Sequence, residues 1–277
     1  MTALVRPVAA LGATEFRIAL RNRWVTITVA MMALFALVLS AAGSAPTGDV
    51  GVDALSVTVA SLTSLGVYLV PLMALLMSFD AVAGEMERGT LSLTLTYPVS
   101  RGAILLGKFA AHLAVLAIAV GAGYGLAAVA ALVADPEAVE GLPALWRLFW
   151  SSVLLGAVFL CIGYALSAMA RRPGAAAGLA IGVWLAVVVL YDLGLLAAVV
   201  ADGGGVFTTR ALPWLLLANP ADAFRLFNLA ASEATAAASG LGGAAQTIPA
   251  YHALISVLLW PVVAFALAVA ALRRVTP

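Results

Sequence analysis

Apolar residues in this chain come in blocks rather than in stripes. Uninterrupted runs of roughly 20 residues or more recur at about 24–42, 54–79, 109–134, 148–170, 174–201 and 250–272. A helix rises 1.5 Å per residue, so about 20 apolar residues cross a hydrocarbon core of ~30 Å. Each block therefore predicts a membrane-spanning helix, six in all, and an all-α integral membrane protein. The first block ends on Ser40-Ala41-Ala42, small residues of the kind found at a leader cleavage site. Its apolar run exceeds the ~7–15 residues of a signal-peptide core, so it reads as an uncleaved span.

Composition agrees with the pattern. Of 277 residues 64% are hydrophobic and 10% charged, against about 25% charged in soluble domains. A net charge of +1 makes no electrostatic case for nucleic-acid binding. The single cysteine, Cys161, excludes an intramolecular disulfide and a cysteine-based zinc cluster. Charge placement sets the expected orientation. With the N-terminus in the cytoplasm, inner segments hold Arg6, Arg17, Arg21, Arg23, Arg88, Arg101, Lys108, Arg171, Arg172, Arg273 and Arg274, leaving Arg147, Arg210 and Arg225 outside. That asymmetry predicts cytoplasmic N- and C-termini. Residues 1–23, with four arginines and one acid, then form an N-terminal segment at the cytoplasmic surface, and 24–277 the six-span domain.

Two polar interruptions stand out. The inner one, 80–108, carries Asp80, Glu85, Glu87, Arg88, Arg101 and Lys108 between two apolar blocks. It is the inner segment best placed to receive force from a soluble partner. The outer one, 202–249, is long and divided. Asn219-Pro220-Ala221-Asp222 reads as a helix start, with Asn as cap, Pro at the first position and an acid in the first turn. Phe224 and Phe227 then share a face. An interfacial helix results, with Trp214, Asn219, Asp222, Phe224, Arg225 and Phe227 as candidate docking residues for a partner on the outer side. The second half, Ala/Gly-rich, reads as a linker.

Candidate chemistry is sparse. Residues 102–109 approach a P-loop, but Phe109 stands where Ser or Thr should hold magnesium, and a span follows. The chain itself is not read as an ATPase. Asp192 is the one acid inside an apolar run, which suits either a pathway residue or a solvated interfacial one. Met73 and Met77 at i, i+4 offer thioethers of the kind that bind Cu(I), although methionine in a span is usually packing. Gly174, Gly178 and Gly182 clear one helix face, for a subunit contact or for packing within the chain. The alternation of Leu91-Ser92-Leu93-Thr94-Leu95-Thr96 argues locally for a strand.

The inner segment also carries a family signature. Gly84, Glu85, Glu87, Gly89, Thr90, Leu91, Pro98, Val99, Ser100 and Arg101 match the loop GExExGTLxxLLxxPVSR of ABC transporter permeases of the ABC-2 class. Arg21-Asn22-Arg23-Trp24, Gly107-Lys108-Phe109 with His112, Leu190-Tyr191-Asp192-Leu193 and 219–226 are similar, within that class, to permeases of the nitrous-oxide-reductase maturation system. The resemblance covers essentially the whole chain and implies a type V exporter-like fold in a bacterial inner membrane. It implies a coupling helix rather than a strand after residue 89, with Glu85, Glu87, Arg88, Gly89, Thr90, Leu91 and Leu95 meeting the ATPase. It further implies a permease homodimer, two copies of a separate cytoplasmic ATPase that carry the ATP and magnesium, and a periplasmic copper-handling partner. No cofactor or metal is expected on this chain. An ABC-2 exporter of a drug, ion or lipid is the alternative. An intramembrane enzyme fits poorly, because no span carries paired catalytic groups.

Overall fold

Apolar segments of this length must satisfy every backbone N–H and C=O internally, and a helix does so within one segment. A computed structural model describes residues 54–91, 93, 100–170, 172–229 and 249–275, with scattered single positions between Gly12 and Val38. Among the described residues every regular element is helical. The order is α1 (Ala54–Ser78), a short α2 (Ala83–Glu87), α3 (Arg101–Ala134), a 3-10 turn (Pro136–Gly141) and α4 (Leu142–Ala170). Then come α5 (Pro173–Asp202, with a π-helical turn at Leu185–Leu190), α6 (Leu212–Ala218), α7 (Pro220–Leu229) and α8 (Ala250–Arg273). Five stretches are long and apolar enough to cross a membrane: Leu55–Glu87, Arg101–Ala134, Pro136–Ala170, Pro173–Asp202 and Tyr251–Arg273. They overlie the second to sixth apolar blocks. The segment 1–23 and the first block, 24–42, lie outside the described residues apart from those single positions, and so does the linker at 230–247.

Antiparallel spans gather the charges at two ends. Arg88, Arg101, Lys108, Arg172, Arg273 and Arg274 share one end, here the basic end. Asp135, Glu137, Glu140 and Asp202 mark the opposite one. The α1, α3 and α4 helices pack into the centre around Leu62, Leu75, Leu116, Tyr124, Phe159 and Tyr164, all buried. By contrast only 11% of the most apolar stretch of α5 is buried. Nothing among the described residues comes within 4 Å of where a Cβ would stand on Gly174, Gly178 or Gly182. Packing against the described part of the chain therefore does not explain that glycine stripe.

Two boundaries differ from the sequence expectation. The α3 helix begins at Arg101, well before the apolar block at 109, because Ser100 caps it by accepting from the Ala103 N–H at 3.2 Å. More consequential is the outer segment. After α5 the chain reverses at Gly203–Gly205 and returns beside it through a π-helical turn (Phe207–Ala211) and α6. Tyr191 donates its hydroxyl proton to the Leu215 carbonyl at 2.9 Å, and the Asn219 amide donates to the Val187 carbonyl at 2.7 Å.

Asn219 also accepts from the Ala221 N–H at 2.9 Å, so the cap read from sequence is present. The α7 helix that follows is not an interfacial helix. It packs on α1, α4 and α8, with Asp222, Phe224, Phe227 and Asn228 all buried. Its amphipathic stripe faces the protein's own core, because the returning hairpin aims it inward. Through Leu229 the predicted loop is thus a re-entrant helical unit.

This placement makes α7 a structural element of the bundle. Phe224→Ala is expected to cost about 3–5 kcal/mol, as for other fully buried Phe truncations. The readout is the melting midpoint of the purified full-length protein in detergent. An unchanged midpoint would mean that the ring is dispensable to the core.

Candidate functional site

At the basic end, the segment after α1 is bound into the bundle at three points. The backbone N–H groups of Val82 and Ala83, free donors at the start of α2, both reach the Ser167 hydroxyl on α4, at 3.0 and 2.9 Å. Glu85 accepts from the Lys108 ammonium on α3 at 2.6 Å, with the two side chains only 16% and 4% exposed. Arg101, at the start of α3, donates to the terminal carbonyls of α8: Leu272 at 2.9 Å, Arg273 at 3.2 Å, and Val275. A guanidinium on those carbonyls also opposes the negative end of the helix dipole.

The same geometry shapes the surface. A Cβ on Gly84 would stand 2.1 Å from the Asp80 carboxylate, so any larger residue there would displace that side chain. Asp80 in turn pairs with Arg88 at 3.5 Å. Gly89 has φ +70°, a left-handed conformation that ends α2 and that residues with a Cβ rarely adopt. The Thr90 hydroxyl donates back to the Glu85 carbonyl at 3.3 Å. Glu87, Arg88, Gly89 and Thr90 are left exposed together as a polar ledge. Thr90, Leu91 and Leu93 are helical, against the strand-like local alternation.

The predicted coupling residues therefore divide. Glu87, Arg88, Gly89 and Thr90 lie on the surface, whereas Glu85 is spent on Lys108. Leu91 is only 3% exposed and belongs to the core cluster, so it is no anchor for a partner, while Leu93 is 66% exposed. Leu95 lies outside the described residues. Lys108 is also the lysine of the P-loop-like run. Buried in a helix and paired with Glu85, it has no access to a phosphate.

The opposite end holds a second charge cluster. Tyr124 bonds Ser152 at 2.9 Å, and neighbouring Ser151 bonds Asn228 of α7. The Phe224 ring of α7 lies beside Gly66, midway along α1. Arg225 grips Asp192 with both terminal nitrogens, at 3.1 and 3.0 Å, and pairs with Asp222 at 3.4 Å. Asp192 is thus an ion-pair partner of the re-entrant helix. Neither reading from sequence included that pairing.

Of the other predicted outer residues, Asn219, Asp222, Phe224 and Phe227 are buried in the protein's own core and are unavailable for docking. Arg225 is largely spent on its acids. Trp214, 66% exposed, stays on the surface beside His252, their ring centroids 6.1 Å apart. Met73 and Met77 are buried in the core cluster. Among the described residues no three His, Cys, Asp or Glu side chains converge on one point. Between the two polar ends, α4 from Leu155 to Cys161 is buried and without a polar side chain apart from the thiol.

Comparison with known proteins places this geometry in context. A family model described as ABC-2 family transporter protein matches residues 9–275. A Pseudomonas aeruginosa protein named "Probable ABC transporter permease protein NosY" is 47% identical over 259 residues, covering 92% of this chain and 94% of that protein. A Stutzerimonas stutzeri protein of the same name is 44% identical over 264 residues, with the same coverage of both chains.

The Glu85–Lys108 pair generates a prediction. Removing one partner leaves a buried charge uncompensated, at about 3–5 kcal/mol, whereas removing both costs much less. Lys108→Met is expected to lower the melting midpoint of the purified protein sharply, and adding Glu85→Gln to recover most of the loss. Additive losses in this double-mutant cycle would show that the two groups do not interact.

Proposed function

The chain belongs to the ABC-2 family of transporter proteins, and from that premise we propose that it is the permease of a nitrous-oxide-reductase maturation system. In this reading it couples ATP hydrolysis by a separate cytoplasmic ATPase to the transport or mechanical work needed for assembly of the copper–sulfur centre. The observation that carries the reading is the ledge at Glu87, Arg88, Gly89 and Thr90. It is exposed on the outside, and the segment beneath it is tied to α4 through Ser167 and to α3 through Lys108, while Arg101 ties the start of α3 on to the end of α8. A push on the ledge therefore reaches three helices that cross the membrane.

The rest of the assembly follows from the resemblance. Two copies of the permease form a homodimer in the bacterial inner membrane, with six spans each and both termini in the cytoplasm. The nearly unburied apolar face of α5 and its glycine stripe suit that dimer contact. Two ATPases, carrying ATP and magnesium, meet the basic end. A periplasmic copper-handling protein meets the opposite end, where Trp214 on the re-entrant hairpin replaces Phe224 and Phe227 as the exposed aromatic.

Charged groups at such a contact fix register and partner choice more than they add affinity. Glu87→Arg is expected to insert normally, since the residue lies outside the spans' apolar core, but to lose productive docking. The assay follows ATPase copurification and nitrous oxide reductase cofactor content in one strain carrying Glu87→Arg. Wild-type values for both would show that the ATPase engages another surface.

A further inference from the structure

A groove of about 600 Å3 opens at the basic end between the last turns of α4 and α8, with Met86 of α2 among its walls. Ala168, Met169, Leu267 and Ala271 give it an apolar lining, and Arg274 is the one charged residue there among the described residues. Met169 and Leu267 are 69% and 59% exposed. Both belong to spans, so the groove opens sideways, toward the acyl chains of the leaflet at the basic end, rather than only toward water.

The local charge balance is positive. Of the acids of the neighbouring segment, Asp80 is matched by Arg88 and Glu85 by Lys108, which leaves Glu87, exposed on the ledge, against Arg101, Arg172, Arg273 and Arg274. The end of α8 should repel an anion through its exposed carbonyls. Arg101 occupies the Leu272, Arg273 and Val275 carbonyls and reverses that sign. Arg274 makes no ion pair with a carboxylate among the described residues. A cation at headgroup depth above an apolar slot complements a phosphate attached to an acyl chain, and basic pockets between spans recognise anionic headgroups in this way.

We propose that this groove binds one anionic phospholipid, its phosphate at Arg274 and an acyl chain along Met169, Leu267 and the alanines. The proposal goes beyond the maturation reading and stands whichever substrate the permease serves. Its consequence is local. Met86 lies one residue before Glu87, so the lipid would buttress the ledge from the side that the three bonds leave open. A soluble protein is a poorer occupant, because the walls face the bilayer.

The test uses the full-length permease in nanodiscs of phosphatidylcholine containing phosphatidylglycerol, with native mass spectrometry counting the lipids retained. Wild-type protein is expected to retain phosphatidylglycerol over phosphatidylcholine by about fivefold, the weight of one basic residue near an anionic surface. Arg274→Gln should bring the ratio to parity, and Arg172→Gln, outside the groove, should leave it unchanged. Ala271→Trp should fill the slot and abolish retention of both lipids. If that variant fails to fold, the exposed Arg274→Gln change decides alone. A preference that survives Arg274→Gln, or that is absent from the wild type, overturns the proposal. So does shielding of a label at Met169→Cys by added ATPase in phosphatidylcholine alone, which would give the groove to the protein partner.

Discussion

A lysine and a glutamate buried against each other at the end of an apolar helix constrain everything around them. Neither charge is stable there alone, so Lys108 and Glu85 must meet, and the short helix carrying Glu85 must lie where α3 places the ammonium. Once α2 is fixed, its first N–H groups face Ser167 of α4, and around the left-handed turn at Gly89 the residues Glu87, Arg88, Gly89 and Thr90 lie at the surface. Arg101 closes the arrangement from the other side by holding the end of α8. The signature shared with ABC-2 permeases thus contains two kinds of residue. Some are offered outward, and others brace the segment from within.

The opposite end repeats the device with different groups. One guanidinium, Arg225, joins the far end of α5 to the re-entrant helix through Asp192 and Asp222. Two acids share one base there, and Asp222 is the more buried of them. Between the two ends, α4 from Leu155 to Cys161 is buried and carries no polar side chain apart from the thiol.

Much of this was legible in the residues. Long apolar blocks dictate helices, and their lengths located the five spans described here. The Asn219-Pro220 helix start was likewise readable, because capping is local chemistry. The direction in which α7 faces was not. An amphipathic stripe shows that a helix has an apolar face, and only the return of the hairpin beside α5 decides that the face meets the protein's own core. The same limit explains Leu91. Alternation along 91–96 marks apolar positions, but which leucine is inward depends on the turn at Gly89. Pairings across long sequence separations, such as Asp192 with Arg225 or Arg101 with the end of α8, leave no trace in local pattern. Only a lone charge at the edge of an apolar block, as at Lys108, hinted that a partner was required.

On the proposed reading the segment under the ledge transmits as well as docks, and Arg101 separates those roles. It lies away from the exposed ledge residues, yet it is the described side chain that ties the start of α3 to the end of α8. The most direct measurement compares wild-type and Arg101→Gln permease for ATPase copurification, ATP hydrolysis by the complex, and cofactor content of nitrous oxide reductase. Transmission through the clamp predicts that the ATPase still copurifies and hydrolyses ATP while cofactor content falls. Cofactor content at the wild-type level in Arg101→Gln would contradict the account.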